Sequence, residues 1–306
     1  MNIMFDVGGT GTKVIAFRGN EIKNESYITY ERKSLIEPIK LKDLLDKICE
    51  YTLKFEEKIN IGIAFPGPVD TIKKNVIGET TFIDIDIDIE KYLKDKNKNI
   101  QSIFIENDAK AAAYGELVYG RNNKVKNLVH LTVGSGLGMG VIINGELYRG
   151  STFNSTEISR TYSNISKNND DQINAVNTGL GAVIYKYQIM SGTDSVDGKG
   201  LFEKYNSGDE IVKQIFDEWL TSLAKTIVNI HLIFDADLIT IGGGVSANEQ
   251  FMSELKEKVK QYTNIEIMGR KLTLNQNIEK VLQTSKLKNK AACYGMLAIM
   301  EENKNE

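Results

Sequence analysis

"NIMFDVGGTGTKVIAFRG" (Asn2–Gly19) decides the architecture of this chain. Asn2 to Val7 is largely apolar and reads as a buried strand, with Asp6 near its end. Gly8 and Gly9 then mark a tight turn. "TKVIAFRG" reads as a returning strand, and "NEIKNESYITY" (Asn20–Tyr30) as a third, so an antiparallel meander opens the chain. Further on, "LKDLLDKICEYTLKF" sets Leu41, Leu44, Leu45, Ile48 and Phe55 on one helical face. "INIGIAF" is a buried strand stopped by the turn "PGPVD", "QSIFI" is another strand, and Asp108 to Tyr119 is an alanine-rich helix. This order of elements predicts an α/β unit.

The pattern then partly repeats. "NLVHLTV" and "MGVIING" read as paired strands around the turn "GSGLG", and "GELYRG" as an edge hairpin. Helices dominate from about Asn174 to Phe234. "DLITIGGG" gives a strand and a glycine turn, followed by a helix from Ala247 to about Tyr262. At 306 residues the chain exceeds a usual single core. The expected division is 1–120 and 121–287, parting near the polar stretch "GRNNKVKN". A final amphipathic helix, about 288–304, packs back on the first domain.

Composition narrows the function. A net charge of −3 offers no basic excess for nucleic acid or an anionic membrane, and no apolar run reaches the length of a membrane span. The start "MNIMFDVGG" lacks the pattern of a signal peptide and leaves no room for a fused N-terminal domain, so a cytoplasmic protein is expected. Cys49 and Cys293 lie in helical patterns and read as reduced core thiols. With His130 and His231 they form no clustered zinc motif.

Three glycine turns follow strands: "DVGGTGTK", "TVGSGLGMG" and "IGGGVSAN". One such turn is ordinary turn chemistry, but three spread over both halves point to anion binding, because glycine lets backbone N–H groups approach a phosphate closely. Neither the Walker A nor the dinucleotide spacing is met. The carboxylate that matters most is in "IENDAKAAAYGE" (Ile105–Glu116), at the junction of strand and helix. Asp108 there either caps the helix or faces a cleft and accepts a proton, and Asn107 would serve equally well as the cap.

Asp6-Val-Gly-Gly-Thr10 with Lys13, "LTVGSGLGMGVIING" and "DADLITIGGGVSAN" resemble the two phosphate loops and the adenosine loop of the actin/hexokinase-like (ribonuclease H-like) fold. "FPGPVD" and "IENDAKAAAYGE" narrow the resemblance to the ROK family (repressors, open reading frames and sugar kinases), from Met1 to about Glu301. The resemblance implies two α/β domains around an interdomain cleft and an ATP-dependent sugar kinase. It implies that Asp6 holds Mg²⁺ through water, with an Asx turn as the plainer reading. Gly8, Gly9 and Thr10 would line the phosphates, and Lys13 would offset their charge. Thr132, Gly134, Ser135, Gly136 and Gly138 would cradle the β- and γ-phosphates. At Gly242, Gly243 and Gly244 any Cβ would collide with adenosine. Asp108 inherits the role of general base, and Asn107, Gly67, Glu157 and Arg160 line the sugar. The partner is a small sugar, with neither nucleic acid nor membrane, in a homodimer. A non-catalytic sugar sensor of the same family is the alternative.

Some residues depart from the family pattern. Its usual Gly-Glu-Ile-Gly-His run stands here as Thr156-Glu157-Ile158-Ser159-Arg160, and "SNISKNNDDQINAVNTG" (Ser163–Gly179) carries none of the family's zinc-binding cysteines, so no zinc is expected. This resembles the zinc-free branch, with its N-acetylmannosamine and β-glucoside kinases. Lys110 replaces the usual second asparagine. Lys110 and Arg160 would suit an anionic or bulky acceptor, unless both face solvent or Arg160 pairs with a carboxylate. "TTFIDIDIDIEKYL" (Thr80–Leu93) reads as a half-buried strand whose aspartates line a solvated edge; a cation site is the other reading.

Overall fold

The computed structural model describes residues 1–30, 37–78, 81–163, 173–193, 196–274 and 277–305. The meander is present as β1 (Asn2–Val7), β2 (Gly11–Arg18) and β3 (Glu21–Thr29). After α1 (Leu41–Thr52) come β4 (Ile59–Phe65), α2 (Ile89–Lys96), β5 (Ile100–Asn107) and α3 (Asp108–Gly115). The second half holds β6 (Leu128–Val133), β7 (Leu137–Ile143), β8 (Glu146–Leu147), α4 (Leu180–Ser191) and α5 (Glu210–Phe234). It ends with β9 (Leu238–Gly242), α6 (Glu249–Thr263), β10 (Leu282–Thr284) and α7 (Ala291–Asn305).

Two five-stranded sheets have one topology, β3-β2-β1-β4-β5 and β8-β7-β6-β9-β10. In each, a strand pairs antiparallel with the next one in the chain and parallel with a strand reached by a crossover. The parallel strands β1, β4 and β5 therefore finish at one edge of the first sheet, and β6, β9 and β10 at one edge of the second. Open α/β sheets bind ligands at such carboxyl-terminal edges.

Period-two alternation fills both faces of β1. Ile3, Phe5 and Val7 join the cluster that includes Leu41, Leu44, Leu45 and Ile48 of α1. Met4 points the other way, into a cluster with Cys293, Met296, Leu297 and Met300 of α7. The last helix packs on the first sheet through these side chains. In the second half Val129, Leu131 and Val133 of β6 meet Ile215, Phe216, Trp219 and Leu223 of α5.

The alanines of α3 follow from where it lies. On one side it crosses β7, where a Cβ on Gly140 would fall 2.3 Å from the Ala109 carbonyl oxygen. On the other it crosses α7, where a Cβ on Gly295 would fall 1.7 Å from the Ala111 oxygen, and one on Gly115 would fall 2.3 Å from that of Ala291. Backbones this close admit only hydrogen or methyl side chains. The helix that carries Asp108 is thus clamped between the second sheet and the last helix.

The Ile/Asp run departs from the expected strand. Among its described residues only Phe82–Ile83 is strand, and an extended segment leads from it into α2. The alternation still holds: Ile85 and Ile87 pack on the core while Asp84, Asp86 and Asp88 face outward. Asp88 accepts the Lys91 N–H at 2.9 Å and caps α2, a local use of the carboxylate that competes with continuing a ladder.

Candidate active site

β5 ends at Asn107, paired in register with Phe65 of β4, and α3 begins at once. Asn107 takes the cap: its Oδ1 accepts the Lys110 N–H at 2.9 Å, and its Nδ2 donates to the Gly67 carbonyl at 3.0 Å. Gly67 holds a left-handed φ of 85° in the Pro/Gly turn, a geometry that favours glycine. Asp108 is thereby relieved of the cap. Its Oδ1 accepts the Ala109 N–H at 2.8 Å and the Asn107 amide at 3.2 Å.

Asp108 is half-buried, and its pKa is raised to about 7. Desolvation is the largest cause and the charge of Asp6 the next; Glu157 adds to both, while the Ala109 amide pulls the other way. Asp6 is itself raised to about 6 by burial, against the opposing charge of Lys13, its cross-strand partner. Burial also raises Glu157, offset by Arg160 and Lys110. Three carboxylates from β1, α3 and the loop after β8 therefore act on one desolvated region. A carboxyl poised near neutrality is suited to taking a proton.

The glycine turns divide into packing and open positions. A Cβ on Gly8 would lie 3.2 Å from the Gly11 oxygen, which accepts the Gly8 N–H at 2.9 Å. Gly9 continues this turn, and Thr10 hydrogen-bonds Tyr27 at 3.0 Å through their hydroxyls. Lys13 Nζ donates to the Asn289 carbonyl, tying β2 to the start of α7. In the second turn Gly134 and Gly136 face open space, and Ser135 is exposed. That turn is backed by α4, whose Leu180 and Gly181 N–H groups donate to Gly134 and Ser135 carbonyls at 2.8 and 3.0 Å.

Gly138, expected to cradle phosphate, is bare for another reason: a Cβ there would sit 2.8 Å from the Ala109 methyl. Gly242 and Gly243 need no adenosine to explain them either. Their Cβ atoms would meet the His130 ring at 2.7 Å and the Val133 carbonyl oxygen at 2.2 Å; only Gly244 of the three faces open space. Beside it lies a groove of about 400 Å³ lined by Ser246, Ala247, Met252, Thr284 and Lys288 among others. Thr132 Oγ1 is buried with no hydrogen-bond partner among the described residues. An orphaned hydroxyl at the root of an open glycine turn fits a phosphate oxygen.

Arg160 pairs with Glu157 at 3.5 Å, the plainer of its sequence readings. Lys110 does not face solvent. It is 1% exposed, and its Nζ donates to the Phe153 carbonyl at 2.8 Å. Among the described residues no cluster of three His, Cys, Asp or Glu side chains could hold a metal. Much of the stretch aligned with the family's zinc motif, residues 164–172, lies outside those described.

The sequence reading missed Glu116, at the start of the π-helical turn Glu116–Gly120. It is wholly buried; its Oε1 accepts the Ser285 hydroxyl and, at 2.7 Å, the Leu287 N–H. Arg121 lies 3.6 Å from its Oε2 and donates to Gln283 and Thr284. Both chain crossings between the sheets thus meet at one carboxylate. Its only sequence signal was the "GE" closing the alanine run.

Among the described residues no helix is long and apolar enough to cross a membrane. The chain is 28% identical over 211 residues to a β-glucoside kinase of Listeria monocytogenes, covering 67% of each. It is 25% identical over 279 residues to a xylose repressor of Caldicellulosiruptor bescii, covering 84% of this chain and 66% of the repressor. A ROK family glucokinase of Streptomyces griseus, solved with glucose and AMPPNP, superposes with a TM-score of 0.78 at 20% identity, over 97% of this chain and 98% of that one. The architecture is thus the two-domain actin/hexokinase-like fold. A model of the ROK family matches residues 2–303, and the chain belongs to that family.

Proposed function

We propose that this chain is an ATP-dependent sugar kinase and that Asp108 accepts the proton of the acceptor hydroxyl. The observation that carries this reading is the division of labour at the head of α3. Asn107 supplies the helix cap, so the next carboxylate is left half-buried, near neutrality and beside Asp6 and Glu157. Late proton transfer to such a group suits phosphoryl transfer, in which positioning supplies most of the rate.

Two domains, 1–120 with the last helix and 121–287, bind ATP between their glycine turns. Gly8, Gly9 and Thr10 contact phosphates from one side; Thr132, Gly134, Ser135 and Gly136 do so from the other. Adenosine lies against Gly244 and the adjoining groove. Asp6 holds Mg²⁺ through water, and the ion when bound offsets phosphate charge. A single carboxylate suffices for an ion that keeps most of its waters. Asn107 and Glu157 hydrogen-bond the sugar, with Gly67 setting the Asn107 amide. The β-glucoside kinase among the relatives makes a neutral glycoside the first acceptor to try.

A sugar sensor without turnover is the second reading, favoured by the Arg160–Glu157 pair, which engages a sugar-binding carboxylate, and by the repressor among the relatives. Coupled ADP release with Mg-ATP decides between them across glucose, N-acetylmannosamine and β-glucosides. Sugar-dependent release supports the kinase. Tight sugar binding without release, at any nucleotide concentration, supports the sensor.

A further inference from the structure

The loop that carries Glu157 needs an external fastening. It runs from Tyr148 to Glu157 and is closed on itself by the Ser155 hydroxyl, which donates to the Tyr148 carbonyl at 3.2 Å. Two of its non-glycine residues, Phe153 and Thr156, hold left-handed φ angles of 61° and 66°. Such angles are strained for side chains of this kind and persist only where surroundings impose them. Thr156 Oγ1 is moreover buried with no partner among the described residues.

Two contacts impose the geometry, and both reach the β5–α3 junction. Arg149 Nε donates to Glu106 Oε2 at 2.6 Å, while Glu106 Oε1 accepts the Asn107 N–H at 2.9 Å. Lys110, two residues beyond Asp108, donates from Nζ to the carbonyl of Phe153 itself. The lysine is buried, and desolvation holds its pKa below the ordinary lysine range, with Glu106, Glu157 and Asp108 acting against that and Arg149 adding to it. Removing the ammonium leaves the Phe153 carbonyl without this donor, while Glu106 and Glu157 keep Arg149 and Arg160 as their counter-charges.

We infer that Lys110 is a positioning residue for the acceptor site: it straps the Glu157 loop to the helix that carries Asp108, fixing the distance between the sugar-binding carboxylate and the base. This rests on the kinase reading for its kinetic consequence, but the strap itself is a property of the free protein.

The test compares wild type, Lys110→Met and Lys110→Arg in two measurements. Lys110→Met keeps the buried stem and loses the donor; Lys110→Arg keeps a donor. Hydrogen–deuterium exchange on the free protein should show amides 149–157 exchanging about tenfold faster in Lys110→Met, with β1 and β6 unchanged. Kinetics with the best sugar should show sugar KM raised about tenfold or more and ATP KM within about twofold. Lys110→Arg should recover part of both effects, which a merely structural role would not produce. Unchanged loop exchange in a folded Lys110→Met protein overturns the strap, as does faster exchange spread evenly through both sheets. An unchanged sugar KM overturns its role at the acceptor site. If Lys110→Met does not fold, Lys110→Arg decides by the same two readouts, because its longer, forked donor shifts the loop. If wild type turns over no sugar, the kinase reading fails and exchange alone judges the strap.

Discussion

The carboxylates of Asp6 and Asp108, one near the end of β1 and one at the first turn of α3, act on the same desolvated gap. The charge of Asp6 helps hold the Asp108 pKa up to about 7. Only ionised Asp108 accepts a proton, so kcat/KM for the sugar should rise with pH through about 7 and fall on the acid side. Substituting Asp6→Asn removes the repulsion and should bring the Asp108 titration, followed by carboxyl NMR on the free protein, toward the ordinary carboxylate range. An unmoved titration breaks the claim that the two groups are coupled.

The same burial has a stability consequence. The folded-state pKa of Asp108 lies above its unfolded value of 3.8, so between about 4 and 7 the folded protein binds the extra proton. Stability from this group is fully present below the unfolded value and declines as pH rises through about 7. Asp108→Asn should therefore raise the melting temperature at pH 8, by roughly 2–4 °C per kcal/mol of relieved repulsion, and leave it nearly unchanged at pH 4. An equal effect at both pH values contradicts the assignment.

Gly295, in the α3–α7 crossing, should tolerate no methyl group. Gly295→Ala gains about 1 kcal/mol of helix propensity, but its Cβ meets a backbone oxygen at 1.7 Å. Overpacking should win, with a net loss of roughly 1–3 kcal/mol in urea unfolding and a sharp fall in turnover as the helix carrying Asp108 shifts. A stabilised Gly295→Ala protein would show that this contact does not set the helix position.

Glu116 should matter to the fold without touching any ligand. Glu116→Ala strands the buried Ser285 hydroxyl and the part-buried Leu287 amide, at a cost of about 2–4 kcal/mol. Thermal and urea unfolding check this. A change below about 0.5 kcal/mol contradicts the view that this carboxylate ties the two crossings together.

Much of this was legible because the signals are local. The meander, the glycine turns and the Asn107-Asp108 head of α3 are each encoded within a few neighbouring residues. What escaped depends on partners far away in the chain. Gly138, Gly242 and Gly243 are bare because of Ala109, His130 and Val133, which no turn rule reveals. Lys110 is buried because Phe153, strained and remote, presents a carbonyl to it. The Ile/Asp run kept its period of two but left its ladder at Asp84, whose φ of 56° is left-handed.

The central claim is that Asp108 takes the proton, and one substitution tests it most directly. With the best sugar and Mg-ATP, Asp108→Asn should lower kcat by about 10²–10⁴-fold while calorimetry finds sugar and nucleotide binding little changed. A kcat equal to that of wild type would contradict the account.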